Sequence, residues 1–140
     1  MKIKTAEYSG TSLANKLGIK ENFRIKLINE PEYYFELFTD MPRGIEIVND
    51  EKSPKDLIHY FSKNAEVLFK EIKKLKKEIK QDGIIWISWP KRASGVQTDV
   101  TEDFIRDMAL KIGLVDIKVC AVDEVWSALK LVIPVKERSK

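Results

Sequence analysis

Asp56-Leu57-Ile58-His59-Tyr60-Phe61 and Ile84-Ile85-Trp86-Ile87-Ser88-Trp89 are two compact apolar runs, and the lysine-rich stretch between them decides the fold. In that stretch Leu68, Ile72, Leu75 and Ile79 recur at helical spacing and form one apolar stripe. Ser62 or Asn64 supplies the N-cap, and Asp82-Gly83 breaks the pattern. The second run is almost continuously apolar, as a strand covered on both faces must be. The segment reads as a βαβ unit, whose right-handed crossover makes its two strands parallel neighbours. The lysines from Lys70 to Lys80 alternate with the stripe and form a solvated helix face.

Upstream, Thr11 or Ser12 can cap a short helix over Leu13 to Leu17 that Gly18 stops. Phe23 to Asn29 alternates apolar and charged residues before turning apolar, which predicts a first strand entering the core from a wet end. Pro31 suits a helix start, Tyr34, Leu37 and Phe38 recur at helical spacing, and Pro42 and Gly44 end that helix. Ile45 to Val48 gives a short second strand. Downstream of Trp89, a loop from Pro90 to Val100 precedes a helix capped by Thr101 that carries Phe104, Ile105, Met108, Ala109 and Ile112 and stops at Gly113. Leu114 to Val122 and Trp126 to Val135 then form an antiparallel hairpin about Asp123-Glu124, and Glu137 to Lys140 is expected to be a frayed tail.

The expected architecture is a single α/β domain over residues 1–140: a three-layer, Rossmann-like sheet of six strands in chain order 2-1-3-4-6-5, with only the sixth antiparallel. With 140 residues, 44% of them hydrophobic and 34% charged, the chain can build a full core under a well-solvated surface. Twenty-five basic against 22 acidic residues leave a net charge of +3, too small and scattered to demand a nucleic acid. No apolar run reaches the ~20 residues that span a bilayer. Met1 to Glu7 lacks the apolar stretch of a secretion signal, so a cytoplasmic protein without a membrane partner is expected. One cysteine, Cys120, and one histidine, His59, argue against a disulfide or a metal site. Cys120 reads as a buried, inert thiol and His59 as a satisfied core histidine.

Ligands of open α/β sheets gather outside the C-terminal ends of the strands. That edge receives Asn29-Glu30, Asn49-Asp50, Lys91-Arg92 and Asp123-Glu124, which one cleft could use together with a wall at Trp126. The loop after Trp89 is long for an α/β connection. It joins Lys91 and Arg92 to Ser94, Gly95 and Thr98, a mixture of cations, hydroxyls and free amides able to hold a phosphate or carboxylate.

The order of elements, with Asp56, Asp82-Gly83 and Trp89-Pro90 in sequence and a closing hairpin, resembles a shortened S-adenosylmethionine-dependent methyltransferase fold. That family binds its cofactor with a glycine-rich loop after the first strand. Here that place reads Asn29-Glu30-Pro31-Glu32-Tyr33, so no cofactor is expected and S-adenosylmethionine least of all. Three stretches, Ser12 to Ile19, Trp89 to Asp103 and Gly113 to Ser127, are similar to a bacterial family known as domain of unknown function 3052. This resemblance implies the fold and a common loop region.

The function expected from the residues is a non-catalytic or regulatory domain that binds a small anionic ligand or a protein partner at the C-terminal edge of its sheet. The alternative is a small enzyme acting on a phosphate- or carboxylate-bearing substrate, with Asp123 or Glu124 as acid/base.

Overall fold

The βαβ unit forms as its sequence predicts, with two shifted boundaries. The structure is a computed structural model that describes residues 11–139, so Lys140 and the N-terminal stretch read for a signal lie outside the described residues. Strand β3 is Lys55–Phe61, helix α2 Ala65–Glu78 and strand β4 Ile79–Pro90. Asn64 caps α2, its side chain accepting from the Val67 amide at 3.0 Å. Leu68, Ile72 and Leu75 are buried on the sheet-facing side of α2. Ile79, expected as the last turn of the stripe, is instead the first residue of β4.

The Asp82-Gly83 signal therefore marks something other than a helix stop. As β3 advances from Lys55 to Leu57, its partner advances from Ile79 to Ile84, so Lys80 to Gly83 bulge out of the ladder. A Cβ on Gly83 would lie 2.9 Å from the Ile79 Cβ and 3.1 Å from the Lys55 carbonyl oxygen, and only glycine fits there.

Strands β1 (Arg24–Ile28), β2 (Glu46–Ile47), β5 (Val115–Ala121) and β6 (Trp126–Val132) complete one six-stranded sheet in the order β2-β1-β3-β4-β6-β5. The four strands from β2 to β4 run parallel, and β6 is antiparallel to both neighbours, as expected. Helices α2 and α3 (Glu102–Lys111) pack with Ile58, Ile85, Ile87 and Leu129 on one face. Helix α1 (Leu13–Leu17) and a 3-10 turn at Tyr34–Leu37 cover the other through Ile25, Leu57, Trp86 and Ala128. Ser12 rather than Thr11 caps α1, and Thr101 caps α3.

Three further expectations give way. The helix predicted after Pro31 is only that 3-10 turn, because Tyr34 and Leu37 suffice to bury its contact and Pro42 lies too close for a longer element. Lys26, read as the wet side of β1, is buried against Glu78 at 2.8 Å, and Lys55 lies 3.3 Å from the same carboxylate. The tail is not frayed as far as Ser139: Arg138 Nε donates to the Ile133 carbonyl and the Ser139 amide to Gln81, at 2.9 and 2.8 Å.

Candidate functional site

Strand β1 ends at Ile28, and the chain leaves the sheet through Asn29 in the left-handed region, φ 59°. Asparagine tolerates this conformation better than most residues. Its side-chain amide donates to the Phe61 carbonyl at 3.3 Å, fastening the end of β1 to the end of β3. Beyond Pro31 the Tyr33 hydroxyl donates to Asp123 Oδ2 at 2.8 Å, and Asp123 Oδ1 accepts the amides of Val125 and Trp126, each at 2.8 Å. At the end of β3, Ser62 donates to the Asn64 carbonyl and starts the turn into α2. These segments enclose a cleft of about 530 Å³ between Asn29, Tyr33, Phe61, Lys63, Asn64 and Trp126, with Pro31, Tyr60, Val67, Val96 and Val125 adding apolar and aromatic wall. Among the described residues, Lys63 is the one charged residue of that lining.

The long loop makes a second cleft of about 510 Å³ against Trp89 and Pro90, lined among others by Arg92, Gly95, Thr98 and Glu102. The loop is sewn to the first cleft. Thr98 Oγ1 donates to the Lys63 carbonyl at 2.8 Å, the Asp99 amide reaches the same oxygen at 3.3 Å, and Asp99 Oδ1 accepts the Ala65 amide at 2.8 Å. Val96 lines both clefts, which adjoin there.

The strand-end residues expected to share one cleft are thus divided. Asn29 and Trp126 line the first cleft, and Arg92, Gly95 and Thr98 the second; Glu30, Lys91, Ser94, Asp123 and Glu124 line neither. The reason is local bonding. Ser94 spends its hydroxyl on the Lys91 carbonyl at 2.7 Å, the Lys91 amide is held by Val125, and Asp123 organises the hairpin turn. Asp50 turns back on Ser53, Lys52 and Lys55, and these donors hold its carboxyl well below the usual range. Lys63 and Asn64 are legible by the same strand-end rule, since they follow the run ending at Phe61 with only Ser62 between. Tyr33 carries no such signal, because its place in the cleft depends on the bond to Asp123.

Burial, reinforced by the Asp123 carboxylate and opposed by Trp126, pushes the Tyr33 hydroxyl up to about 12, so it remains a donor. His59 is fully buried, and desolvation alone pulls its pKa down to about 3. Its neutral ring meets the Tyr34 hydroxyl at Nδ1, 3.0 Å, and Ser88 Oγ at Nε2, 2.7 Å. Burial raises the Cys120 thiol against the opposing pull of Lys118 and Lys16, away from thiolate chemistry. Among the described residues no group of three His, Cys, Asp or Glu could hold a metal ion, and no helix is long and apolar enough to cross a membrane.

A six-stranded, mostly parallel sheet with this order and a terminal antiparallel pair is a methyltransferase-like Rossmann fold. Similar solved structures include an S-adenosylmethionine-dependent methyltransferase from Aquifex aeolicus, at 12% identity and TM-score 0.61, covering 94% of this chain and 91% of that one. The mitomycin 7-O-methyltransferase MmcR gives 8% identity and TM-score 0.61, covering 92% and 52%. NcsB1, an O-methyltransferase of neocarzinostatin biosynthesis solved with S-adenosylmethionine and a naphthoic acid, gives 5% and 0.61, covering 92% and 55%. The chain spans about half the length of the latter two. At these identities the likeness shows the fold alone. No family model and no curated protein matches the chain, which leaves the resemblance to domain of unknown function 3052 without support.

Proposed function

We propose that the chain is a non-catalytic, methyltransferase-like domain that binds a small organic anion at the C-terminal edge of its sheet. The observation that carries the reading is Lys63. Among the described residues it is the one cation in a cleft otherwise lined by aromatic, aliphatic, amide and hydroxyl groups, and no carboxylate pairs with it. Such a cleft suits a ligand with an apolar or aromatic body and one carboxylate or phosphate: the body packs against the wall that Tyr33 and the Phe61–Trp126 ring pair form, and the acid group meets Lys63. Asn29 and Asn64 are the further side-chain groups able to orient it.

Two features set the cleft apart from a site for S-adenosylmethionine, the cofactor this fold implies. A nucleoside's ribose hydroxyls are ordinarily held by a carboxylate, and among the described residues the lining has none. The loop after β1 places Pro31, which has no amide N–H, and the Asn29 side chain where bare backbone would have to approach the ligand. Both features support the reading that the cleft takes a ligand other than that cofactor. The engagement of two candidate acid/base groups is in keeping with a binding role: Asp123 is committed to three hydrogen bonds, and His59 is buried and neutral.

Calorimetric titration with indole-3-acetate, phenyl phosphate and S-adenosylmethionine tests the reading. Binding of an aromatic acid that disappears in Lys63→Ala supports it. Binding of S-adenosylmethionine in preference to both acids, or acid binding indifferent to Lys63, overturns it.

A further inference from the structure

Strand β5 is the last of the sheet, and among the described residues its outer edge has no neighbour. Its middle is bare, with Ile117 52% and Val119 44% exposed. An unpaired edge offers a row of amides and carbonyls to any extended chain. What distinguishes this edge is its charge. Lys118 of β5 stands directly opposite Lys130 of β6 in the antiparallel register, next to the Cys120–Ala128 pair. Like charges facing each other across a strand pair oppose folding.

Two further lysines, from a different part of the chain, reach the same face. Lys20 and Lys118 act on Lys130, whose ammonium is held below the usual lysine range by burial first and by these two charges next. Lys16 of α1 acts, with Lys118, on Cys120. Some lysines elsewhere find partners: Lys26 and Lys55 meet Glu78, Lys70 meets Glu66, Lys74 meets Glu51 and Lys80 meets Asp56, while others, such as Lys63 and Lys91, form no ion pair among the described residues. Among the described residues none of Lys16, Lys20, Lys118 and Lys130 forms an ion pair. Uncompensated repulsion inside the sheet thus coincides with its open edge.

We propose that this edge receives an extended acidic segment of a partner protein, which adds a strand beside β5 and sets carboxylates against Lys118, Lys130, Lys20 and Lys16. Backbone pairing supplies the register, Val119 and Ile117 supply apolar contact, and the lysines select the sign of the partner. A second copy of this chain is disfavoured, because edge-to-edge pairing would set lysine faces beside each other. The irregularity between Asp116 and Lys118 confines regular pairing to Lys118 through Ala121. The surface belongs to β5 and β6 and does not depend on the Lys63 cleft.

The test uses the full chain, labelled with nitrogen-15 and titrated with a short peptide of alternating glutamate and valine. A lysine–valine peptide and a short oligothymidylate serve as comparisons. The expected result is amide shifts centred on Val119, Cys120 and Ala121 with the acidic peptide alone. Lys130→Glu, which converts the repelling pair into an attractive one, should raise the urea midpoint yet weaken peptide binding about tenfold or more. Three results would overturn the proposal: no shifts on β5 at millimolar peptide, acidic-peptide binding unchanged in the folded Lys130→Glu variant, or tighter binding of the oligothymidylate, which would make the face a nucleic-acid surface.

Discussion

The Tyr33 hydroxyl donates a 2.8 Å hydrogen bond to the Asp123 carboxylate, tying the segment after β1 to the turn between β5 and β6 across the mouth of the Lys63 cleft. Tyr33→Phe leaves one Asp123 oxygen without this partner and should cost about 1 kcal/mol in urea unfolding. The folded-state pKa of Tyr33 lies above its unfolded value near 10, so the folded chain holds more protons between pH 10 and about 12. Stability from this group is complete below pH 10 and is lost as pH rises through that window. Tyr33→Phe should show a shallower alkaline decline than the parent; an identical decline would separate Tyr33 from the effect.

His59 gives the opposite dependence. Its pKa is pulled from 6.5 to about 3 on folding, so the unfolded chain binds the extra proton over that interval. Its contribution is intact above pH 6.5 and is lost as pH falls toward 3. The urea midpoint of His59→Asn should therefore change less between pH 7 and pH 5 than that of the parent.

The stripe of α2 and its lysine face should differ sharply. Leu75→Ala removes a buried side chain and should cost about 2 to 4 kcal/mol, whereas Lys73→Ala should stay within ~0.5. Lys76 is a poor control, since its ammonium donates to the Ile112 carbonyl at the end of α3. Equal effects at Leu75 and Lys73 in urea melts would mean that α2 presents a different face to the sheet.

Lys91→Ala/Arg92→Ala should leave the melting temperature nearly unchanged, because among the described residues neither side chain forms an ion pair. Arg92 lines the second cleft rather than the first, so the double variant should keep its affinity for aromatic acids. Loss of that affinity would mean the ligand extends past Val96 into both clefts.

Strand order was readable because continuous apolar runs, helical stripes and caps agree with one another: β3, α2 and β4 carry each signal within a few dozen residues. Local signals failed where long-range contacts decide. Asp82-Gly83 is the same dipeptide whether it stops a helix or lets a bulge approach Lys55, and only the β3–β4 register distinguishes the two. Lys26 looks like a solvated strand residue until Glu78, at the far end of α2, is brought to it. The site follows the same division. Asn29 and Trp126 were marked by their strand ends, but Lys91 and Asp123 were drawn away by backbone bonds that no spacing reveals. Lys63 obeys the strand-end rule as plainly as Asn29 does, and becomes distinctive only because the other described residues of the cleft are uncharged.

The chemistry of the Lys63 cleft is tested by a crystal structure of the protein taken from cells without added ligand, with crystals of the same form soaked in indole-3-acetate. The expected result is an organic anion, native or soaked, with its acid group at Lys63 and its body against Tyr33 and the Phe61–Trp126 ring pair. S-adenosylmethionine or its demethylated product in that cleft, or an acid bound elsewhere while the Lys63 cleft stays empty, would contradict it.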